Sequence, residues 1–187
     1  MLEIEVKAKI TNPDEIIDQL SEMGCHWSEP IWQHDTVYLP ADYVWTPDGN
    51  ITQNPIAVIR IRREKGGAKL TLKIPQGAHL ASKETELDIS DPEAMETILV
   101  ALNYSQSLAV VEKTRRKTKW HEYEICIDEV VDLGKFVEVE TFSDLSVKEV
   151  QEDLFLFLER LGVKREQRVS RGYDVLKWAH DRKIKLE

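Results

Sequence analysis

The chain has 187 residues, of which 42% are hydrophobic and 32% charged, with a formal net charge of −9. That length and apolar share fit a single domain over residues 1–187 with a real core. No run of about 18 apolar residues occurs, which excludes a membrane-spanning helix. The acidic balance argues against a nucleic-acid surface, but not against a small anion, whose recognition depends on local sign.

The opening MLEIEVKAKI is not a signal peptide, so the cytosol is the expected compartment. It places Leu2, Ile4, Val6, Ala8 and Ile10 on one face and Glu3, Glu5, Lys7 and Lys9 on the other. A period of two predicts a strand with one apolar side. Asn12-Pro13-Asp14-Glu15 is a capping box with proline at the first helical position. It opens a helix with the stripe Ile16, Ile17, Leu20 and Met23, closed by Gly24. A second strand is expected over Ile31 to Leu39, followed by an irregular loop from Ala41 to Pro55. Strands return at Ile56 to Arg63 and Ala68 to Ile74, with Gly66-Gly67 as the turn between them, and at Leu80 to Ile89. Ser90-Asp91-Pro92-Glu93 opens a second helix ending near Leu102. A hairpin follows over Leu108 to Trp120 and Tyr123 to Asp128, then a strand over Lys135 to Phe142. Ser146-Val147-Lys148-Glu149 opens a helix with Val150, Leu154, Leu158 and Leu161 on one face, stopping at Gly162. A final helix is expected over Ser170 to His180. Short connections between about eight strands favour antiparallel pairing.

Cys25 and Cys126 lie in no metal-ligand spacing and read as two thiols. The five histidines show no paired spacing, and the tryptophans read as packing residues; Trp45, in the loop, could stack on a ring.

The polar faces of the strands carry the functional signal. Each tends toward one sign at positions i and i+2: Glu3 and Glu5, Glu84 and Glu86, Glu138 and Glu140 are acidic, while Arg60 and Arg62, and Lys113 and Arg115, are basic, with Lys69 and Lys73 a looser pair four positions apart. Such neighbours lie about 6.5–7 Å apart and repel by roughly 2 kcal/mol at an effective dielectric near 20. Repetition on several strands points to a bound group of opposite sign. Clustered carboxylates suit Mg2+ or Mn2+, and clustered Arg and Lys suit phosphate oxygens. The apolar faces, covered by helices, would leave the charged faces lining a water-filled tunnel. The expected fold class is therefore α+β: an eight-stranded antiparallel closed β-barrel with a charged interior and helices outside.

Glu3-Ile4-Glu5-Val6-Lys7 resembles the ExExK signature of the CYTH, or triphosphate tunnel metalloenzyme, superfamily. Gln33 to Tyr38, Arg60-Ile61-Arg62, Leu72-Lys73, Glu84-Thr85-Glu86, Lys113-Thr114-Arg115, Ile127-Asp128-Glu129 and Leu133 to Glu140 are similar to its later motifs, in the same order. Where the family often has Arg-Ser-Tyr near the C-terminus, this chain reads Arg171-Gly172-Tyr173.

The resemblance implies an enzyme that cleaves a phosphoanhydride bond of a small-molecule triphosphate. Glu3, Glu5, Glu138 and Glu140 would hold Mg2+ or Mn2+, with Asp128 and Glu86 supporting. Lys7, Arg60, Arg62, Lys73, Lys113 and Arg115 would grip phosphate and carry catalysis, with Arg171 joining them in substrate binding. Class IV adenylyl cyclase, which turns ATP into cyclic AMP and pyrophosphate, is the subgroup most resembled. A thiamine triphosphatase or tripolyphosphatase and a non-catalytic polyphosphate-binding module are the alternatives. No nucleic acid or membrane partner is expected, and a homodimer stays open.

Overall fold

The computed structural model describes residues 1–43, 57–76, 79–106 and 110–186. In chain order it forms β1 (Leu2–Ile10), α1 (Pro13–Glu22), β2 (Ile31–Pro40), β3 (Val58–Glu64), β4 (Gly67–Pro75) and β5 (Ala81–Ile89). These are followed by α2 (Pro92–Ala101), β6 (Tyr104–Gln106), β7 (Val111–Trp120), β8 (Tyr123–Val130) and β9 (Gly134–Ser143). The chain closes with α3 (Val147–Arg160), a 3-10 turn (Arg165–Gln167), β10 (Arg168–Val169) and α4 (Tyr173–Asp181). The eight long strands and four helices are the expected ones. The short strands β6 and β10 were not anticipated. Most of the expected loop, with Trp45, and the expected start of β7 at Leu108 lie outside the described residues. No helix among the described residues is long and apolar enough to cross a membrane.

The chain divides into two compact units, Met1–Ile31 with Lys113–Ser170, and Trp32–Glu112 with Arg171–Glu187. In the first, β9 pairs antiparallel with both β1 and β8, β8 with β7, and β10 with β1. The apolar residues Ile4, Val6 and Ala8 of β1 and Val137 and Val139 of β9 are fully buried, as the period of two requires. α3 lies against both strands and α1 against β9. α3 contributes Leu154, Phe155 and Leu158, which are likewise fully buried, and α1 contributes Ile16 and Leu20, one turn apart. Trp120 stacks on Phe157, with ring centroids 4.8 Å apart. Cys25 and Cys126 are both buried free thiols, as expected.

In the second unit β3 pairs with β2 and β4, β4 with β5, and β6 with the end of β2, all antiparallel. Tyr38, Ile61 and Leu99 form its core with Ile59, Leu70, Ile89 and Met95, which fixes α2 on the apolar face. Val37 and Leu39 pack with Val58, Tyr43 and Trp178 of α4.

Local chemistry differs from the sequence pattern at several places. At the start of α1 the Asn12 side chain accepts no helix N–H and instead donates to Glu15 Oε1 at 2.8 Å, so the expected capping box does not close. The β3–β4 turn is Lys65-Gly66, because Glu64 stands opposite Gly67, and Gly66 alone takes the positive φ of +104° that the second turn position demands. The N-cap of α2 is Asp91. Its carboxylate accepts from the Ala94 N–H at 2.9 Å, and Pro92, lacking an N–H, fills the first helical position.

Leu154→Ala removes a fully buried side chain of α3. It should lower unfolding stability by about 2–5 kcal/mol, read as a lower urea midpoint with an unchanged denaturant slope.

Candidate active site

In the first unit, strand parity puts Glu3, Glu5 and Lys7 of β1, Glu138 and Glu140 of β9, Glu124, Cys126 and Asp128 of β8, and Lys113, Arg115 and Lys117 of β7 on the face opposite the apolar core. Register sets their neighbours. Glu5 stands opposite Glu140, and Glu140 opposite Glu124. Lys7 stands opposite Glu138, which is opposite Cys126, and Arg115 opposite Asp128.

The pairs formed there are buried. Lys7, 2% exposed, reaches Glu138 Oε1 at 2.9 Å and Glu5 Oε1 at 3.6 Å. Arg115 donates from Nε to Asp128 Oδ1 at 2.6 Å and from Nη2 to both Asp128 and Glu138. Lys113 Nζ lies 3.3 Å from Asp128 Oδ2. Burial opposes the charge of Glu138, but Lys7, Arg115 and Lys113 outweigh it and hold the carboxyl well below its ordinary range. Burial likewise opposes the Asp128 charge, and Arg115 and Lys113 win there too.

Glu140 behaves in the opposite way. Burial, and then the facing Glu5, push its carboxyl up to about 7, despite the lowering effect of Arg115. Carboxylate oxygens of Glu3, Glu5 and Glu140 come within 4.8 Å of one another. Three hard oxygen donors around a carboxylate whose charge is under-compensated fit a divalent cation, and Mg2+ or Mn2+ suit that donor set. Glu3, Glu5 and Glu140 are the residues that would hold it. Glu138 and Asp128, also expected as metal ligands, share the face but are occupied by Lys7, Arg115 and Lys113.

In the second unit the charged face is basic on the neighbouring strands β3 and β4 and acidic on β2 and β5, which flank them. Asp35 takes a two-pronged grip from Arg62, Nε at 2.7 Å and Nη2 at 2.6 Å, with Arg60 Nη1 3.9 Å from the same carboxylate. Arg60 also donates to Thr71 Oγ1 at 3.2 Å. Lys73 pairs with Glu84, directly opposite on β5. Glu86, expected to support a metal, is bonded here to Lys69 at 2.6 Å. Its charge, opposed by burial, is favoured by Lys69 and then by Arg60 and Arg62. Arg171 Nη1 lies 3.1 Å from His79 Nδ1, so the predicted phosphate contact has a histidine beside it. Gly172 caps α4, and a Cβ there would collide with Asp174 Oδ1, so a serine at that position would displace the Asp174 side chain.

Asp35, Lys117 and Glu124 were missed as individual site residues. Lys117 is the third member of a row read only as a pair, and Asp35 and Glu124 have no acid two positions away within their strands. Strand parity alone would have placed all three.

The CYTH domain model matches residues 1–173. This chain belongs to the CYTH domain family. A Methanocaldococcus jannaschii relative, MJ0240, named there as a candidate adenylate cyclase, is 27% identical to this CYTH chain over 179 residues, covering 92% of it and 97% of the relative. Protein PH1819 from Pyrococcus horikoshii OT3 has a solved structure that matches with TM-score 0.74 and 26% identity, over 96% of this chain and 99% of that one. A Hippeastrum protein, described as a candidate adenylyl cyclase with a dominant triphosphatase activity, matches with TM-score 0.60 and 18% identity, over 99% of this chain and 97% of that one. These likenesses show the fold, and the expected α+β class with eight long antiparallel strands and helices is borne out.

Two substitutions on β9 should move stability in opposite directions. An acid whose pKa is raised on folding costs nothing below its unfolded value near 4.5. It costs progressively more as pH rises through about 7. Glu140→Gln should therefore stabilise the metal-free protein at pH 8, by on the order of 3 kcal/mol, and the variant should show no rise in Tm on addition of Mg2+ or Mn2+, where the unsubstituted protein should show one. Glu138→Gln strips a buried partner from Lys7 and Arg115 and should destabilise by about 3–5 kcal/mol. Thermal melts at pH 5 and pH 8, with and without Mn2+, read both.

Proposed function

We propose that this CYTH protein is a divalent-metal-dependent enzyme that cleaves a phosphoanhydride bond of a small-molecule triphosphate. The observation that carries the reading is the convergence of the Glu3, Glu5 and Glu140 carboxylates, with the Glu140 carboxyl pushed up to about 7, beside the cations Lys7 and Arg115 on one sheet face. A bound Mg2+ or Mn2+ would supply charge neutralisation at the phosphate oxygens and lower the pKa of a coordinated nucleophile. Lys7, held by Glu138 and Glu5, keeps a positive charge beside that group. Arg115 and Lys113, fixed by Asp128, are pre-oriented donors for developing negative charge. Such fixed donors need little reorganisation when the bond breaks. In the second unit Arg60, Arg62 and Lys73 are the phosphate-binding cations. Asp35 and Glu84 hold them in place until phosphate competes for their N–H groups, and Arg171 joins them in substrate binding.

The family relatives point to two reactions that share this grip. The M. jannaschii relative carries a cyclase name, which fits attack by a ribose hydroxyl on the α-phosphorus of ATP with release of pyrophosphate. The Hippeastrum protein's described activity fits attack by water and release of orthophosphate. The nucleophile differs, whereas the residues that hold metal and phosphate do not.

Turnover of ATP, thiamine triphosphate and inorganic tripolyphosphate, each with Mg2+ or Mn2+ and each with chelator, tests the reading. Metal-dependent turnover of at least one is expected: cyclic AMP with pyrophosphate marks a cyclase, orthophosphate a hydrolase. Tight tripolyphosphate binding without turnover of any substrate would leave a binding module in place of an enzyme. Arg60→Ala should raise KM for the turned-over substrate about tenfold or more through the lost phosphate fork, and unchanged kinetics would remove Arg60 from the site.

A further inference from the structure

On β7 the residues Lys113, Arg115 and Lys117 occupy alternate positions and therefore one face. The outward residues between and beyond them are accounted for otherwise: Arg116 lies over the Trp27 ring, Thr118 donates to the His26 carbonyl, and Trp120 stacks on Phe157. Within the row the cations differ in how firmly they are held. Lys113 and Arg115 have side chains 3% and 7% exposed, and Asp128, which is fully buried, anchors both. Lys7, across the sheet, is 2% exposed and is held by Glu138 and Glu5. Lys117 is 37% exposed, and among the described residues Glu124, at 2.6 Å, is its one carboxylate partner.

The position of Glu124 gives that pair its meaning. Glu124 stands directly opposite Glu140, which stands directly opposite Glu5, so three carboxylates line up across three neighbouring strands. Like charges facing each other across strands are unfavourable. The residue of β7 directly opposite Glu124 is Lys119, which is exposed, yet it is Lys117 that reaches diagonally to Glu124, because its own cross-strand neighbour is Cys126, which offers no charge. A half-exposed lysine with a single carboxylate is loosely held, and its flexible stem lets the ammonium exchange one anionic partner for another.

The geometry points to Lys117 as a further phosphate-binding residue of this site, a movable cation that Glu124 holds in reserve and yields to a phosphate oxygen of the incoming triphosphate. This inference rests on the triphosphate reading above and adds a residue and a control to it. Lys113 and Arg115 are fixed donors, whereas Lys117 is released on demand. Glu124 thus weakens triphosphate binding by competing for the ammonium, and so also favours product departure.

Two single variants and their combination test it, with inorganic tripolyphosphate and Mn2+ as the probe and calorimetric Kd as the reading. Lys117→Gln should raise Kd about tenfold, the loss of one charge-assisted contact. Glu124→Gln should lower Kd several-fold, because the competitor for Lys117 is gone. In the double variant that gain should vanish and Kd should match Lys117→Gln alone. A pair that serves only the fold would weaken binding, or leave it unchanged, in both single variants, and that result overturns the inference. So does a gain that persists in the double variant, since it would come from the lost acid charge and not from the lysine. If the unsubstituted protein binds no tripolyphosphate, the triphosphate reading fails and this one with it. If it binds and Lys117→Gln binds equally well, only the present inference fails.

Discussion

A charge taken out of water must meet another charge, and that constraint organises this chain. Lys7 is the clearest case: it is all but buried on a strand whose other face packs the core. Its charge survives because Glu138 and Glu5 stand within reach. Arg115 survives similarly through Asp128 and Glu138. Each of these pairs is set by β-register, so the sheet hydrogen bonds that make the fold also decide which acid meets which base. Removing one partner leaves a desolvated charge, which is why the charged face is as much a part of the folded state as the apolar one.

Pairing is not complete, and the remainder gives the face its chemistry. Glu138 and Asp128 are satisfied by cations, whereas Glu140 faces Glu5 and holds its proton up to about 7. The same strand therefore carries, two residues apart, an acid committed to the protein's own bases and an acid suited to a foreign cation. In the second unit the pattern is closer to balance: Arg62 with Asp35, Lys73 with Glu84 and Lys69 with Glu86 pair acid to base across strands. Such pairs orient the cations and can be broken by a phosphate, whose three oxygens offer denser charge than one carboxylate.

Much of this was legible in the chain itself. Alternation fixed the strands β1, β8 and β9 to within two residues. Like-signed pairs such as Glu3 and Glu5 or Arg60 and Arg62 marked the charged faces. The partners could not be read, because they depend on register between strands distant in sequence. Glu138 looks equivalent to Glu140 along the chain, and only the placement of Lys7 opposite one and Glu5 opposite the other separates them. Asp35 and Glu124 escaped notice because neither has an i+2 companion within its strand to raise the signal. β10 is two residues long and exists through its pairing with Lys7 and Ala8, so no local pattern announces it.

Anomalous diffraction from crystals grown with Mn2+ would test the central claim most directly, because it locates the cation without reference to activity. The account places the strongest peak on the carboxylates of Glu3, Glu5 and Glu140, and its loss in Glu140→Gln. A peak on Glu138 and Asp128 with Lys7 and Arg115 displaced, or none on this face while Mn2+ binds elsewhere, would contradict the division between committed and available acids.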